Sequence, residues 1–130
     1  DLKLIDSVQH KKWTGVDNLL ILKNLKLLAE TGANINIRIP LIKNVNTHIE
    51  EIRKMADFIS GLNVIISDSE IAAPAKPMVN LLPYHNIASV KYKKLELEYE
   101  ERGLAEPSKD EIQQAIDVFN SFGIEVEIGG

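Results

Sequence analysis

An α/β fold of parallel βα units is what this sequence predicts, and three observations carry the prediction. Strand-like and helix-like apolar patterns alternate along its 130 residues. Each helical pattern stops at a glycine, and two of the helices open on capping-box spacing. Strand, helix, strand, helix, strand is the order expected of parallel units joined by right-handed crossovers. The pattern by itself fits half of a barrel and a small doubly wound sheet equally well.

Asp1-Leu2-Lys3-Leu4-Ile5 reads as a strand that begins at once, so the chain is expected to be a piece of something longer. Asp17 is placed to cap a helix over about 18–31, with Gly32 as its stop. There Ile21, Leu22, Leu25, Leu28 and Ala29 share one wide arc, opposite Lys23, Lys26 and Glu30. Asn34-Ile35-Asn36-Ile37-Arg38-Ile39-Pro40 alternates with period two and predicts the next strand. Thr47 and Glu50 have capping-box spacing before a helix over about 48–60, whose Ile49, Ile52, Met55, Ala56 and Ile59 share a face.

Val64-Ile65-Ile66 is a possible strand start, whereas Ala72 to Pro77 is loop-like. Val79 to Pro83 reads as a strand, and 86–107 as loop plus a short helix. Ser108 and Glu111 repeat the capping-box spacing, ahead of a helix that stacks Ile112, Ala115, Ile116, Phe119 and Phe122. Gly123 stops it, and Ile124 to Ile128 closes the chain as an alternating strand.

Composition excludes several classes. The 15 Lys and Arg against 19 Asp and Glu leave a net charge of −4, without the clustered base that a nucleic-acid surface needs. No apolar run approaches the roughly 18 residues of a membrane span. There is no cysteine, so this segment offers neither a disulfide framework nor a thiolate ligand for zinc or iron–sulfur. No P-loop, GxGxxG, HExxH or nucleophile elbow occurs. No catalytic residue and no metal ligand is therefore assigned within the chain.

The strands are unusual on one face. Alternation puts Leu2 and Leu4 together and Asp1 and Lys3 opposite them. In the next strand Ile35, Ile37 and Ile39 share one face, and Asn34, Asn36 and Arg38 the other. Strands buried on both faces read as continuous aliphatic runs, so one face here is polar at matching positions. A sheet covered on one side only would show the same pattern with that face open to water. An acid and two bases on one face also suit a zwitterionic ligand. His85 stands at the carboxyl end of its strand, where α/β folds place their sites. His10 and His48 lack ligand-like spacing and read as structural or solvated, and Trp13-Thr14-Gly15 reads as a packed turn.

Several motifs in register resemble the glycyl-radical-enzyme activating proteins, a radical S-adenosylmethionine family that includes pyruvate formate-lyase activating enzyme. The residues concerned are Asp1-Leu2-Lys3, His10, Thr14-Gly15-Val16 with Asn18, and Ile37-Arg38-Ile39-Pro40. Leu81-Leu82-Pro83-Tyr84-His85 is the most specific run, trailed by Lys91-Tyr92, Tyr99, Gly103 and Pro107, and by the closing Gly123 to Gly130. Lys43-Asn44 departs from the usual Pro-Gly turn, although Asn tolerates positive φ. Ala88 replaces a common glycine, and 65–77 has no counterpart.

The resemblance implies the second half of a partial TIM-like barrel, with a C-terminal helix and strand. It implies that a three-cysteine loop in the first half holds a four-iron four-sulfur cluster. It further implies that one electron delivered through the cluster cleaves the sulfonium carbon–sulfur bond of S-adenosylmethionine, giving methionine and a 5′-deoxyadenosyl radical that takes hydrogen from a partner enzyme's glycine. Carried over, Asp1, Lys3, Arg38 and His85 line the S-adenosylmethionine site, and the Asp-x-Lys acid is a candidate for a monovalent cation site. A glycyl-radical enzyme and an electron donor such as flavodoxin are the implied partners, in the cytoplasm, with no role for nucleic acid or membrane. Alone, the fragment is expected to hold no cofactor, to be inert, and to self-associate through an unpaired first strand or the polar-lined trough. The competing readings are the activase of anaerobic ribonucleotide reductase and a non-catalytic half-barrel that binds protein.

Overall fold

The computed structural model describes residues 1–62, 64–65, 74–85 and 104–129. Four helices and five strands lie among them: α1 Ser7–Thr14, α2 Leu19–Glu30, β1 Asn36–Leu41, α3 Ile49–Ser60, β2 Val64–Ile65, β3 Pro74–Ala75, β4 Met78–Pro83, α4 Lys109–Ser121 and β5 Val126–Ile128. The expectations for 66–73 and 86–103 fall outside the described residues, among them Ala88, Lys91, Tyr92, Tyr99 and Gly103.

Three strands form one parallel sheet in the order β1-β4-β5. Its register puts Ile37 beside Val79, Val79 beside Val126, and Ile39 beside Leu81. Those side chains meet Ala29 of α2, Ile52, Met55 and Ile59 of α3, and Ala115 and Phe119 of α4 in a single core. This is the α/β half-barrel: helices cover one face, and the other carries Asn36, Arg38, Asn80 and Glu127. The strands alternate because every second residue must leave that core.

Capping explains where the helices begin. In α4 the Ser108 hydroxyl accepts from the Glu111 N–H at 3.1 Å, and the Glu111 carboxylate accepts from the Ser108 N–H at 2.7 Å. The expected box at Thr47 and Glu50 does not form. His48 is the N-cap of α3 and makes no side-chain cap bond, while Thr47 is buried. For α2 the N-cap is Asn18, one residue beyond the expected Asp17, although the Asp17 carboxylate does accept from the Leu19 N–H at 3.1 Å. Helix α1 replaces the expected packed turn. Its start is capped by Asp6, which accepts from the Gln9 N–H, and Gly15 ends it at φ 84°.

Two further expectations change. Pro74–Ala75, expected as loop, pairs antiparallel with Val64–Ile65. Residues 2–5, expected as a strand, form none. They lie along the free edge of β1, where the Leu2 N–H donates to the Arg38 carbonyl at 2.8 Å. A parallel rung centred there needs a second bond, from the N–H of residue 40 back to the Leu2 carbonyl. Residue 40 is proline and has no N–H to give. The segment is held by side chains instead. Asn18 Nδ2 donates to the Leu4 and Ile5 carbonyls at 2.9 and 2.8 Å, and Asn46 Nδ2 to the Lys3 carbonyl at 2.9 Å. Glu51 accepts from the Ile5 N–H.

Candidate functional site

The site is built from the carboxyl ends of the parallel strands and the face turned away from the helices. Leu2 and Leu4 are buried, which turns Asp1 and Lys3 outward on the opposite side. Arg38 lies between buried Ile37 and Ile39 and is likewise exposed. Asp1 and Arg38 meet, with Nε 3.8 Å from the Asp1 carboxylate. Their side chains are 43% and 55% exposed, so the pair contributes only about 0–1 kcal/mol to folding. Both groups stay available to a ligand.

Lys3 joins a cavity of about 280 Å³ at the carboxyl end of the sheet. Leu4, Trp13, Ile42, Tyr84 and Leu104 supply apolar and aromatic walls, and Asn46 a polar one. His85 follows Tyr84 past the end of β4 and is exposed. The Tyr84 N–H donates to the Leu41 carbonyl at 2.9 Å, which carries the β1-β4 ladder to this rim. Arg38 and Asp1 are thus in contact, Lys3 shares their face and lines the cavity, and His85 stands at the rim. Among the described residues no hydrogen bond or ion pair joins the Lys3 or His85 side chain to the other two.

Three asparagines belong to this region, of which the sequence marks only Asn18, within the resemblance, and assigns none to the site. Asn80 is level with Arg38 on one side and Glu127 on the other. It is buried, and its Nδ2 donates to the Gly129 carbonyl at 2.8 Å. Alternation within Val79-Asn80-Leu81 was the available signal. Asn18 and Asn46 act on main-chain groups of a distant segment, so no local pattern marks them.

Other candidates resolve as structure. His10 is buried, with Nδ1 2.7 Å from the Val16 carbonyl and 3.0 Å from the Thr14 hydroxyl, which ties α1 to its own exit. His48 is exposed. Asn44 takes φ 67°, the positive value that suits asparagine in a turn. A larger open groove of about 660 Å³ lies between the carboxyl ends of α2 and α3, where Lys26 sits 5.5 Å above the Phe58 ring. Helix carboxyl ends lie at the opposite end of the sheet from the strands' carboxyl ends, so this groove is remote from the rim. No group of three or more His, Asp or Glu suited to a metal ion occurs among the described residues.

Fold and site together define a parallel βα half-barrel with a charged face and a cavity at its carboxyl rim. No protein-family model matches the chain. The trans-4-hydroxy-L-proline dehydratase activating enzyme of Clostridioides difficile is 44% identical over 132 aligned residues, covering 100% of the chain and 40% of that protein. The choline trimethylamine-lyase activating enzyme of Oleidesulfovibrio alaskensis is 37% identical over 99 residues, covering 76% of the chain and 29% of that protein. Among solved structures, a domain of pyruvate-formate lyase-activating enzyme from Bacteroides vulgatus superposes with a TM-score of 0.76 at 34% identity, covering 100% of the chain and 65% of that domain. A radical SAM methyltransferase from Sphaerobacter thermophilus shares the fold alone, with a TM-score of 0.54 at 18% identity over 92% of the chain and 28% of the methyltransferase. The chain belongs to the glycyl-radical-enzyme activating enzymes of the radical S-adenosylmethionine type. It spans about two fifths of the length of the first of these relatives.

Proposed function

We propose that this chain is the C-terminal half of the barrel of a glycyl-radical-enzyme activase and supplies one wall of its S-adenosylmethionine site. The observation that carries the reading is the shared face of Asp1, Lys3 and Arg38 beside the rim cavity, in a chain aligned over its full length with an activating enzyme. The donor set fits the ligand. A carboxylate suits an amine or ribose hydroxyl, two cations suit a carboxylate, and the Trp13 and Tyr84 walls suit a planar base. When bound, S-adenosylmethionine supplies the hydrogen-abstracting chemistry. The residues here bind and orient it: Asp1 and Arg38 from the sheet face, Lys3 from the cavity, His85 from the rim. The Asp1 carboxylate is also the group to which a monovalent cation would bind.

The iron–sulfur cluster does not fit this chain, which has no cysteine. Its ligands lie elsewhere in the longer protein. The flank of α2 carrying Ile21 and Leu28 is more than a third exposed and shares a groove with Asp1 and Leu2 at the free edge. The rest of the barrel packs there, and the chain alone self-associates through that flank. The bare strand edge that would have driven association is blunted by Asn18, Asn46 and Glu51.

The relatives are named for a dehydratase, decarboxylases and a lyase, so the commitment is to their common chemistry: hydrogen removal from a partner enzyme's glycine. A flavodoxin-type donor and a cytoplasmic setting accompany it. Among the described residues no helix is long and apolar enough to cross a membrane.

The coding sequence upstream of Asp1 tests this reading against a non-catalytic half-barrel. A Cys-x-x-x-Cys-x-x-Cys loop is expected there, within a segment long enough to complete the barrel. An upstream sequence without a cysteine triad would overturn the activase reading and leave the protein-binding module.

A further inference from the structure

We infer that Asn46 is a positioning residue that compensates for the ladder bond Pro40 cannot make, tying Lys3 to β1 one step beyond it, and so fixes Lys3 and Asp1 on the face of Arg38. This deepens the proposed S-adenosylmethionine site and rests on that reading for its functional consequence. Its structural part is independent of it.

The argument begins with the broken rung. Leu2 donates to the Arg38 carbonyl, but the return bond from residue 40 is impossible because proline has no N–H. One bond is a hinge rather than a register. One step beyond this gap, at the Pro40 carbonyl and the Ile42 N–H, stands Asn46, 1% exposed. Its Nδ2 donates to the Pro40 carbonyl at 2.7 Å and to the Lys3 carbonyl at 2.9 Å, so one amide bridges the two segments. Its Oδ1 accepts from the Ile42 N–H at 2.8 Å, which fixes which way the amide faces. All three bonds go to main chain, and both hydrogens of the amide are used.

The consequence falls on the site. Lys3 is the residue whose carbonyl is held, and Lys3 and Asn46 line the same rim cavity. Without the bridge, residues 1–5 rest on the single Leu2 bond, the Asn18 bonds to Leu4 and Ile5 and the Glu51 bond to the Ile5 N–H, so the segment opens more often and Lys3 moves with it. A ligand that needs Lys3 and Arg38 together then has to order the segment itself, and affinity falls by the fraction of time the geometry is correct. Buried polar groups that join distant backbone in this way fix geometry more than they add stability.

Residue-resolved amide hydrogen exchange on the full chain tests the inference. In Asn46→Ala, protection at the Leu2 and Ile5 amides should fall by about tenfold or more, while Ile39 and Leu81 keep theirs. In the double variant Asn46→Ala with Pro40→Ala, the new N–H at position 40 can complete the rung, and Leu2 protection should return. Loss spread evenly over β1 and β4 would overturn the inference, as would no loss, or a selective loss that Pro40→Ala leaves unrepaired. Should Asn46→Ala fail to fold, Pro40→Ala alone decides: the added rung should raise Leu2 protection, and an unchanged value overturns the inference. In the complete, cluster-loaded protein the same Asn46 variant should bind S-adenosylmethionine roughly tenfold more weakly. If the unaltered protein fails to bind that ligand, the proposed function falls, whereas the exchange result still decides the role of Asn46.

Discussion

Replacing Phe119 by alanine should lower the stability of the chain by about 3–5 kcal/mol. Phe119 has the largest fully buried side chain among the described residues. It projects from α4 into the cluster that joins Ile39 and Leu81 of the sheet to Met55 and Ile59 of α3. Its carbonyl also accepts from the Ile124 N–H at 3.0 Å, where the chain turns from α4 toward β5. Truncation therefore removes the ring from the seam between helices and sheet, and the surrounding aliphatics cannot close the gap without moving the strands. A domain of this size is stable by about 5–15 kcal/mol, so the loss is a large part of the total. Thermal unfolding should shift down by on the order of 10–20 °C. A shift of only a few degrees would mean that α4 is not anchored to the sheet as described.

Iron and sulfide supplied anaerobically to the isolated chain should yield no bound cluster and no cleavage of S-adenosylmethionine. Four-iron clusters are held by thiolates, and the chain has none. The imidazoles cannot replace them. His10 is buried with Nδ1 committed to the Val16 carbonyl and the Thr14 hydroxyl, and no metal-competent group gathers among the described residues. The effect is all or none, because the reductive step has no route without the cluster. Absorbance and spin resonance after desalting read it directly. A retained cluster accompanied by cleavage would break the division of labour between this segment and the rest of the barrel.

How much of this was legible in the sequence depends on where the information lies. Helices α2, α3 and α4 and strands β1, β4 and β5 announce themselves because each must bury one stripe, and the period shows locally. Helix α1 does not. Only His10 among Ser7–Thr14 is buried, so there is no apolar stripe to find, and its sole signals are the Asp6 cap and Gly15. Residues 2–5 have the alternation of a strand, yet the missing rung is caused by Pro40, far along the chain and in another element. Of the β2-β3 pair, Val64–Ile65 falls where the sequence offers a strand start, whereas Pro74–Ala75 is two residues long and begins on a proline, too short for any pattern.

The site divides in the same way. Asp1, Lys3 and Arg38 follow from alternation once Leu2, Leu4, Ile37 and Ile39 are assigned to the core. Asn46 and Asn18 are invisible to it, since what matters is the carbonyls their amides reach 43 and 14 residues away. The charge-bearing residues were readable, and the groups that hold their backbone were not.

The central claim is that the face bearing Lys3 binds S-adenosylmethionine in the complete enzyme. Equilibrium binding to the complete, cluster-loaded protein tests it, with Lys3→Ala compared against Lys23→Ala. Lys23 is an exposed lysine on α2, away from the rim cavity. A charge-assisted contact in a pocket that excludes water contributes about 1.5–3 kcal/mol, whereas an exposed charge contributes little. Lys3→Ala should therefore weaken binding roughly 10- to 100-fold with the melting temperature unchanged, and Lys23→Ala should leave binding as it was. Equal affinity in the two variants would contradict the assignment of this face to the ligand.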